Sequence, residues 1–283
     1  PPIVFINTSY PPVVPELEEK FTVYNHRDAQ DQTALLAQAA GHARAVYTNG
    51  SSWIPAVLDA LPKLELIACS STGYDEFDLD LLKRRGVRLT NSPDLTSTDV
   101  ADLAMALMLA AARRVTWGER YLRSGDWVAK GRPPLTRRVS GKTIGIIGLG
   151  AIGRKVAKRA IGFDMTISYQ GPSKKDDVPY RYYADLVEMA RDVDFVVVAC
   201  IGGPSTVGIV TAEVLDALGP DGVLVNVSRG SCVDGDALIA ALKNNTIGAA
   251  GLDCHAVEPA SPDLYDSLDN VALTPHMGSA TPE

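Results

Sequence analysis

Four cysteines in 283 residues, none in a C-x-x-C pair, leave little material for a metal ribbon or a dithiol redox motif. Cys69, Cys200, Cys232 and Cys254 are scattered, and three lie in or beside apolar strand-like runs, where cysteine behaves as a small hydrophobe. Buried free thiols in a reducing cytoplasm, with no metal, are the expectation. No apolar run approaches a membrane span of roughly 20 residues, so no membrane partner is expected. Pro1-Pro2-Ile3 is expected to open straight into a strand rather than a leader peptide. Basic charge is short as well: 27 Lys and Arg against 34 Asp and Glu give a net charge of −7, which argues against a nucleic-acid partner. Arg113-Arg114 and Arg137-Arg138 then read as solvated faces or subunit contacts. Short internal repeats and low-complexity tracts are also missing.

What the chain has is alternation. Short apolar runs at 2–7, 21–25, 45–48, 64–70 and 87–91 read as buried strands, with helical stretches at 15–20, 31–40, 53–60 and 78–85 between them. Strand–helix alternation of this kind gives a parallel sheet covered on both faces. Gly86 follows Lys83-Arg84-Arg85, where a helix should stop. The stretch 97–113 is rich in Ala, Leu and Met, apolar on most faces, and reads as a buried helix with Ser97, Thr98 or Asp99 as N-cap. Residues 116–140 are polar, hold five Gly or Pro, show little periodicity, and are expected to form an extended arm. A second series begins at 142–147, with strands near 165–169, 195–200, 222–227, 249–253 and 271–274 and helices such as 152–161 and 234–243. The expected fold class is α/β, with two doubly wound parallel-sheet domains.

The second series opens on Gly148-Leu149-Gly150-Ala151-Ile152-Gly153, a G-x-G-x-x-G loop between an apolar strand and an amphipathic helix. That context lifts a weak motif into a dinucleotide site. Gly148 permits the tight turn, Gly150 lets backbone amides approach a pyrophosphate, and Gly153 lets helix and strand pack closely. Ala151 and Ile152 begin the helix whose positive end faces the phosphates. NAD-preferring folds place a carboxylate about 20 positions on, at the end of the next strand. Here the strand Met165–Tyr169 runs into Gln170-Gly171-Pro172-Ser173-Lys174-Lys175, with no carboxylate. A hydroxyl at Ser173 and ammonium groups at Lys174 and Lys175 suit a 2′-phosphate, so NADP is the preferred cofactor, with NAD possible.

Three charged groups follow the loop: Arg229 in Asn226-Val227-Ser228-Arg229-Gly230, Glu258 after Gly251-Leu252-Asp253, and His276 in Thr274-Pro275-His276-Met277-Gly278-Ser279. Each stands at or just past a strand exit. Together they suit reduction of a 2-oxo acid. Arginine offers a planar fork for carboxylate and carbonyl oxygens, histidine can give and recover a proton near neutrality, and the carboxylate favours the protonated imidazole. A metal held by Cys254, His255 and His276 has no supporting ligand spacing.

The order and spacing of Arg229, Glu258 and His276 after the glycine loop resemble the D-isomer-specific 2-hydroxyacid dehydrogenases, over nearly the whole chain. The segment Ile167-Ser168-Tyr169 to Ser173-Lys174-Lys175 is similar to the NADPH-dependent glyoxylate/hydroxypyruvate and hydroxyphenylpyruvate reductases. The resemblance implies a flavodoxin-like substrate domain at 1–95, to which 277–283 return, and a Rossmann cofactor domain at 96–276. The helix and arm at 97–140 would serve dimerisation, making a homodimer. Ser70-Ser71-Thr72-Gly73-Tyr74-Asp75 resembles the substrate loop, in which Thr72 and Gly73 supply amides to the substrate's carboxylate, and the loop 48–53 with Trp53 would meet its side chain. Asp253 would accept from the nicotinamide carboxamide, with Cys200, Thr206, Val227 and Gly278 near the cofactor and His255 as packing. Three departures stand out. Pro172 replaces an arginine usual before Ser-Lys-Lys, Cys200-Ile201-Gly202-Gly203-Pro204 departs from the usual Cys-Pro-Leu, and the chain stops at Glu283 where the family continues to a closing helix, so the substrate domain is expected to be incomplete. A nucleotide-sensing corepressor of the same fold is the alternative. Formate dehydrogenase is disfavoured, because Glu258 stands where it usually carries glutamine.

Overall fold

The computed structural model describes residues 3–7, 13–26, 28–50 and 54–281. The chain divides into two compact units, residues 1–95 and 96–283.

In the first unit, β1 (Ile3–Asn7), α1 (Val13–Glu18), β2 (Thr22–Asn25), α2 (Gln32–Ala39), β3 (Ala45–Thr48), α3 (Ile54–Ala60), β4 (Leu66–Cys69), α4 (Leu79–Arg85) and β5 (Arg88–Thr90) alternate. The five strands are all parallel in the order β2-β1-β3-β4-β5, the flavodoxin-like winding. Short apolar strands force this arrangement, because only helices on both faces can bury both sides of Val46 and Ile67 together with Leu58, Leu61, Phe77 and Leu82. Local signals set the helix ends. Asp31 and Asp78 accept from Ala34 N (2.9 Å) and Leu81 N (2.8 Å) as N-caps, each worth about 1 kcal/mol. Gly86 closes α4 with φ 69°, a left-handed turn that glycine adopts without a Cβ penalty.

The second unit begins with α5 (Ser97–Ala112), α6 (Val115–Arg123) and α7 (Asp126–Lys130), and then β6 (Thr143–Ile147), α8 (Ala151–Ile161), β7 (Thr166–Gln170), β8 (Arg181–Tyr183), α9 (Leu186–Asp192), β9 (Phe195–Val198), α10 (Ala212–Leu218), β10 (Val223–Asn226), α11 (Gly235–Lys243), β11 (Ala249–Leu252) and β12 (Val271–Leu273). Seven parallel strands run β12-β11-β10-β9-β6-β7-β8. The order reverses between β6 and β9, and ligands of open α/β sheets bind beyond the strand ends at such a switch point. Helix α5 is a core helix, as its composition predicts. Ala101, Ala104 and Met108 are fully enclosed, and a Cβ added to Gly251 on β11 would lie 2.9 Å from Leu107 Cβ, so helix and strand meet with no room to spare.

Two expectations fail. The N-cap of α5 is Thr96, which makes no side-chain capping bond, and Ser97, Thr98 and Asp99 lie inside the helix. Residues 116–140 are not an extended arm throughout, because α6 and α7 occupy 115–130 and only the remainder is irregular. Side-chain pairs four residues apart stabilise these helices: Trp117 stacks on Tyr121 (4.7 Å between centroids), Arg123 pairs with Glu119, and Lys130 pairs with Asp126 at 3.0 Å. Gly125 and Gly131 bound α7 with φ 83° and 81°.

Candidate active site

Strand β6 delivers Gly148 to the switch point. Its φ is 89°, its amide donates to Gln170 O at 2.9 Å, and an added Cβ would sit 2.5 Å from the Cα of Cys200 at the end of the β9 run. At Gly153 a Cβ would collide with the carbonyl of Gly148, whereas at Gly150 it would meet nothing within 4 Å. The loop is therefore held tight on its protein side and open at Gly150, where Ala151, Ile152 and Gly153 start α8. An anionic pyrophosphate fits this cradle, facing backbone amides at a helix N-terminus.

Beyond β7, Ser173 and Lys174 are exposed and Lys175 is half-buried. The turn is fixed from beneath: Lys175 N donates to the Tyr169 hydroxyl at 2.6 Å, and the Tyr182 hydroxyl donates to Gly171 O at 3.1 Å. No carboxylate lies within 170–175. Asp177 instead pairs with Arg154 at 2.9 Å, and that bond holds its carboxyl below the ordinary aspartate value. Arg154 was not singled out from the sequence. Its position immediately after the loop's last glycine, in the first turns of α8, is the signal that marks it.

Arg229 leaves β10 in extended conformation, φ −138° and ψ 146°. Asn226 shapes the turn, its Nδ2 donating to Arg229 O (2.9 Å) and its Oδ1 accepting from Ser228 N (3.1 Å). Gly230 is required because a Cβ there would strike the carbonyl of His255. The arginine loop and the loop after β11 thus pack backbone to backbone.

Glu258 and His276 meet directly: Nδ1 of His276 lies 2.6 Å from Oε2 of Glu258, while Oε1 accepts from His255 N at 2.9 Å. Burial raises the Glu258 carboxyl, but its bonds to His276 and the His255 amide outweigh this, so it titrates below its ordinary value. His276 itself has φ 51°, a left-handed backbone uncommon outside glycine. Asp253 holds it there. This buried carboxylate accepts from Thr274 Oγ1 (2.7 Å) and Met277 N (2.8 Å) on Oδ1, and from Gly278 N (2.9 Å) on Oδ2. A Cβ at Gly278 would press 2.9 Å from Oδ2, so glycine is what lets that amide approach. Oδ1 has both lone pairs engaged by these bonds, and Oδ2 retains capacity for one more donor.

His255 is buried as expected of packing, yet both ring nitrogens carry polar contacts. Nε2 lies 2.9 Å from Thr274 O and Nδ1 2.8 Å from the Tyr265 hydroxyl. Cys254 Sγ donates to Ser228 O at 3.1 Å and lies 3.9 Å from His276 Nε2. Cys254, Glu258 and His276 bring one potential ligand atom each within 4.8 Å, but Nδ1 and the thiol already have internal partners.

Among the other predicted contacts, Thr206 is buried and its hydroxyl turns inward to Ile201 O (2.7 Å) and Gly203 O (3.1 Å), tying the departing loop after Cys200 into a turn. Val227 is buried, and Cys200 is half-buried. In the first unit, Thr72 Oγ1 donates to Ser92 O (2.9 Å) and Asn91 Nδ2 to Thr72 O (2.8 Å), which pins the Thr72-Gly73 loop to the end of β5. Thr48 Oγ1 caps its own turn at Gly50 O (2.8 Å). Trp53, expected to line the substrate, lies outside the described residues, as do Ser51 and Ser52.

Known proteins resemble the chain over nearly its whole length. The family model for the D-isomer specific 2-hydroxyacid dehydrogenase catalytic domain matches residues 3–170, and that for the NAD binding domain matches 105–278. A hydroxyphenylpyruvate reductase of Plectranthus scutellarioides is 45% identical over 95% of this chain and 86% of its own. A glyoxylate/hydroxypyruvate reductase of Arabidopsis thaliana is 43% identical over the same shares. The crystal structure of an NADPH-dependent glyoxylate/hydroxypyruvate reductase from Sinorhizobium meliloti, in complex with NADP and malonate, superposes with a TM-score of 0.89 at 36% identity, covering 99% of this chain and 88% of that one.

Proposed function

The chain belongs to the D-isomer specific 2-hydroxyacid dehydrogenase family, and we propose that it is an NADPH-preferring reductase that turns a small 2-oxo acid of the glyoxylate or hydroxypyruvate kind into the D-2-hydroxy acid. The observation that carries this reading is the 2.6 Å bond between His276 Nδ1 and Glu258 Oε2 on the loops beyond β11 and β12. It leaves Nε2 as the nitrogen that delivers a proton. A nicotinamide cofactor, when bound, supplies the hydride.

In this reading Arg229 holds the substrate's carbonyl and carboxylate oxygens and neutralises the alkoxide as it forms. His276 Nε2 protonates that oxygen, and Glu258 stabilises the imidazolium. Amides of Thr72 and Gly73 take the carboxylate. Gly148, Gly150, Ala151, Ile152 and Gly153 receive the pyrophosphate, and Ser173 and Lys174 receive the 2′-phosphate. Asp253 Oδ2, with its remaining acceptor capacity, takes the carboxamide beside Cys200, Thr206, Val227 and Gly278. Residues 1–95 act as the substrate domain and 96–276 as the cofactor domain. The corepressor alternative has no support among the relatives.

The protein is further read as a cytoplasmic homodimer. Its cysteines are free thiols. No helix of the described residues is long and apolar enough to cross a membrane. Val128 and Leu135 are 93% and 99% exposed, beside exposed Val115, Leu122 and Trp127, an apolar stretch that a second subunit would cover. The deciding experiment is NADPH oxidation with glyoxylate, hydroxypyruvate, pyruvate, phenylpyruvate and 2-ketogluconate. The fastest turnover is expected with the first two, and no oxidation with any of the five rejects the reading.

A further inference from the structure

Cys200 ends the β9 run at the switch point, against Gly148, and Cys232 closes the short turn Gly230–Cys232 that follows Arg229. Thirty-two positions apart in sequence, their Sγ atoms lie 3.9 Å from each other. A disulfide requires about 2.05 Å, so a closure of about 2 Å separates the pair from a bond. Neighbouring contacts hold both sulfurs at this distance. Ser228 Oγ donates to Cys200 O at 2.5 Å and touches Cys232 Sγ at 3.6 Å, while Cys232 N donates to Arg229 O (3.1 Å) and Cys232 O accepts from Val210 N (3.0 Å). Of the other two cysteines, Cys69 belongs to the first unit, and the Cys254 thiol donates a hydrogen bond to Ser228 O.

We infer that Cys200 and Cys232 are a disulfide-forming modification site, closed by a hydroperoxide and reopened by a thiol reductant. Cys200 is half-buried beside Ile201, which is 75% exposed, whereas Cys232 is enclosed. Cys200 is therefore the sulfur that meets the oxidant. It attacks one peroxide oxygen, the O–O bond breaks, and water leaves Cys200 as a sulfenic acid. Cys232 then attacks that sulfur, the S–O bond breaks, and a second water departs. Two thiols and one hydrogen peroxide give one disulfide and two waters; both sulfurs are oxidised and the peroxide is reduced. Cys200 donates to Cys232, whose thiol the hydrogen bond within the pair pulls down, so the Cys232 sulfur takes up the Cys200 proton as Cys200 attacks the peroxide. The bond would join the loop at the glycine cradle to the loop that carries Arg229.

The site does not depend on the proposed activity, and its test reads thiols. The whole protein is treated with hydrogen peroxide, unfolded in the presence of N-ethylmaleimide, digested and mapped by mass spectrometry. The expected product is a peptide pair joined through Cys200 and Cys232, lighter by two hydrogens, with four alkylatable thiols falling to two, at least tenfold faster than Cys69 is lost, and dithiothreitol restoring all four. Cys232→Val should abolish the cross-link and send Cys200 on to sulfinic acid. If that variant fails to fold, Cys200→Ala, which truncates a half-buried side chain, should leave Cys232 fully alkylatable. A cross-link to Cys254, or loss of Cys69 as fast as the pair, overturns the assignment.

Discussion

His255 is joined to Thr274 through its side chain: Nε2 lies 2.9 Å from the Thr274 carbonyl, two residues before His276. A carbonyl only accepts, so Nε2 carries the proton and the Tyr265 hydroxyl donates to Nδ1. The His255 amide holds Glu258, so one residue supports both members of the His276–Glu258 pair. His255→Phe keeps a ring in the core but leaves the Thr274 carbonyl and the Tyr265 hydroxyl without this partner. The variant should be less stable by about 1–3 kcal/mol in urea denaturation.

Removing the imidazole itself separates chemistry from folding. His276→Ala should lower kcat for hydroxypyruvate by about 10²–10⁴, the usual worth of a positioned acid–base group. Arg229→Lys should damage both kcat and KM, because the planar fork is lost. Steady-state kinetics on folded protein check both, and near-parental rates for either would remove that residue from its assigned role.

Cofactor choice rests on the turn after β7. Lys174 is exposed, so its attraction to a 2′-phosphate is screened and contributes on the order of 1 kcal/mol, or several-fold to tenfold in affinity. Lys174→Ala should raise KM for NADPH by that factor and leave KM for NADH unchanged. The parent should show the lower KM with NADPH. An equal or lower value for NADH would mean that Pro172 has removed the preference.

Gly230→Ala would force a methyl group against the carbonyl of His255. Separating the two loops should cost about 1–3 kcal/mol of stability and lower kcat together with it, because Arg229 and Glu258 stand on either side of that contact. Thermal denaturation and turnover measured on the same preparation check the coupling.

Asp194 gives a pH signature. It accepts from Thr143 N (2.9 Å), Thr143 Oγ1 (2.7 Å) and Lys142 Nζ (3.0 Å), tying the start of β6 to β9. Burial raises its pKa, but these bonds outweigh it, so the folded value lies below the ordinary 3.8. A depressed carboxylate contributes stability above its unfolded pKa and loses it as pH falls through the folded value. Asp194→Ala should therefore be less stable by about 1–3 kcal/mol at neutral pH, with the difference from the parent shrinking below pH about 4. Urea titrations at the two pH values check this.

Both parallel sheets were legible in the sequence, because strands buried on two faces write themselves as uninterrupted apolar runs such as Phe195–Val198. The glycine loop and the positions of Arg229, Glu258 and His276 at strand exits were legible for the same reason. Strand β8 was not, since it is a three-residue edge strand, Arg181-Tyr182-Tyr183, of which only Tyr183 is buried, too short and too polar to write an apolar run. Helices α6 and α7 were hidden because they are short, are interrupted or bounded by Gly118, Gly125 and Gly131, and bury no residue fully. The three donors on Asp253 and the inward turn of Thr206 depend on where loops fold back, which no local pattern records.

The last strand of the second sheet shapes how copies of this chain can meet. β12 is only three residues long, and its Val271 carbonyl already accepts from the Thr116 hydroxyl on α6 at 3.3 Å. An incoming chain therefore finds a short rim with that acceptor occupied, a poor template for adding a strand. In the proposed homodimer, contact between copies would fall to side-chain packing on the helical segment beside it rather than to a backbone ladder. A self-complementary contact of that kind closes on itself and stays finite, while a sheet extended from copy to copy grows into a fibre.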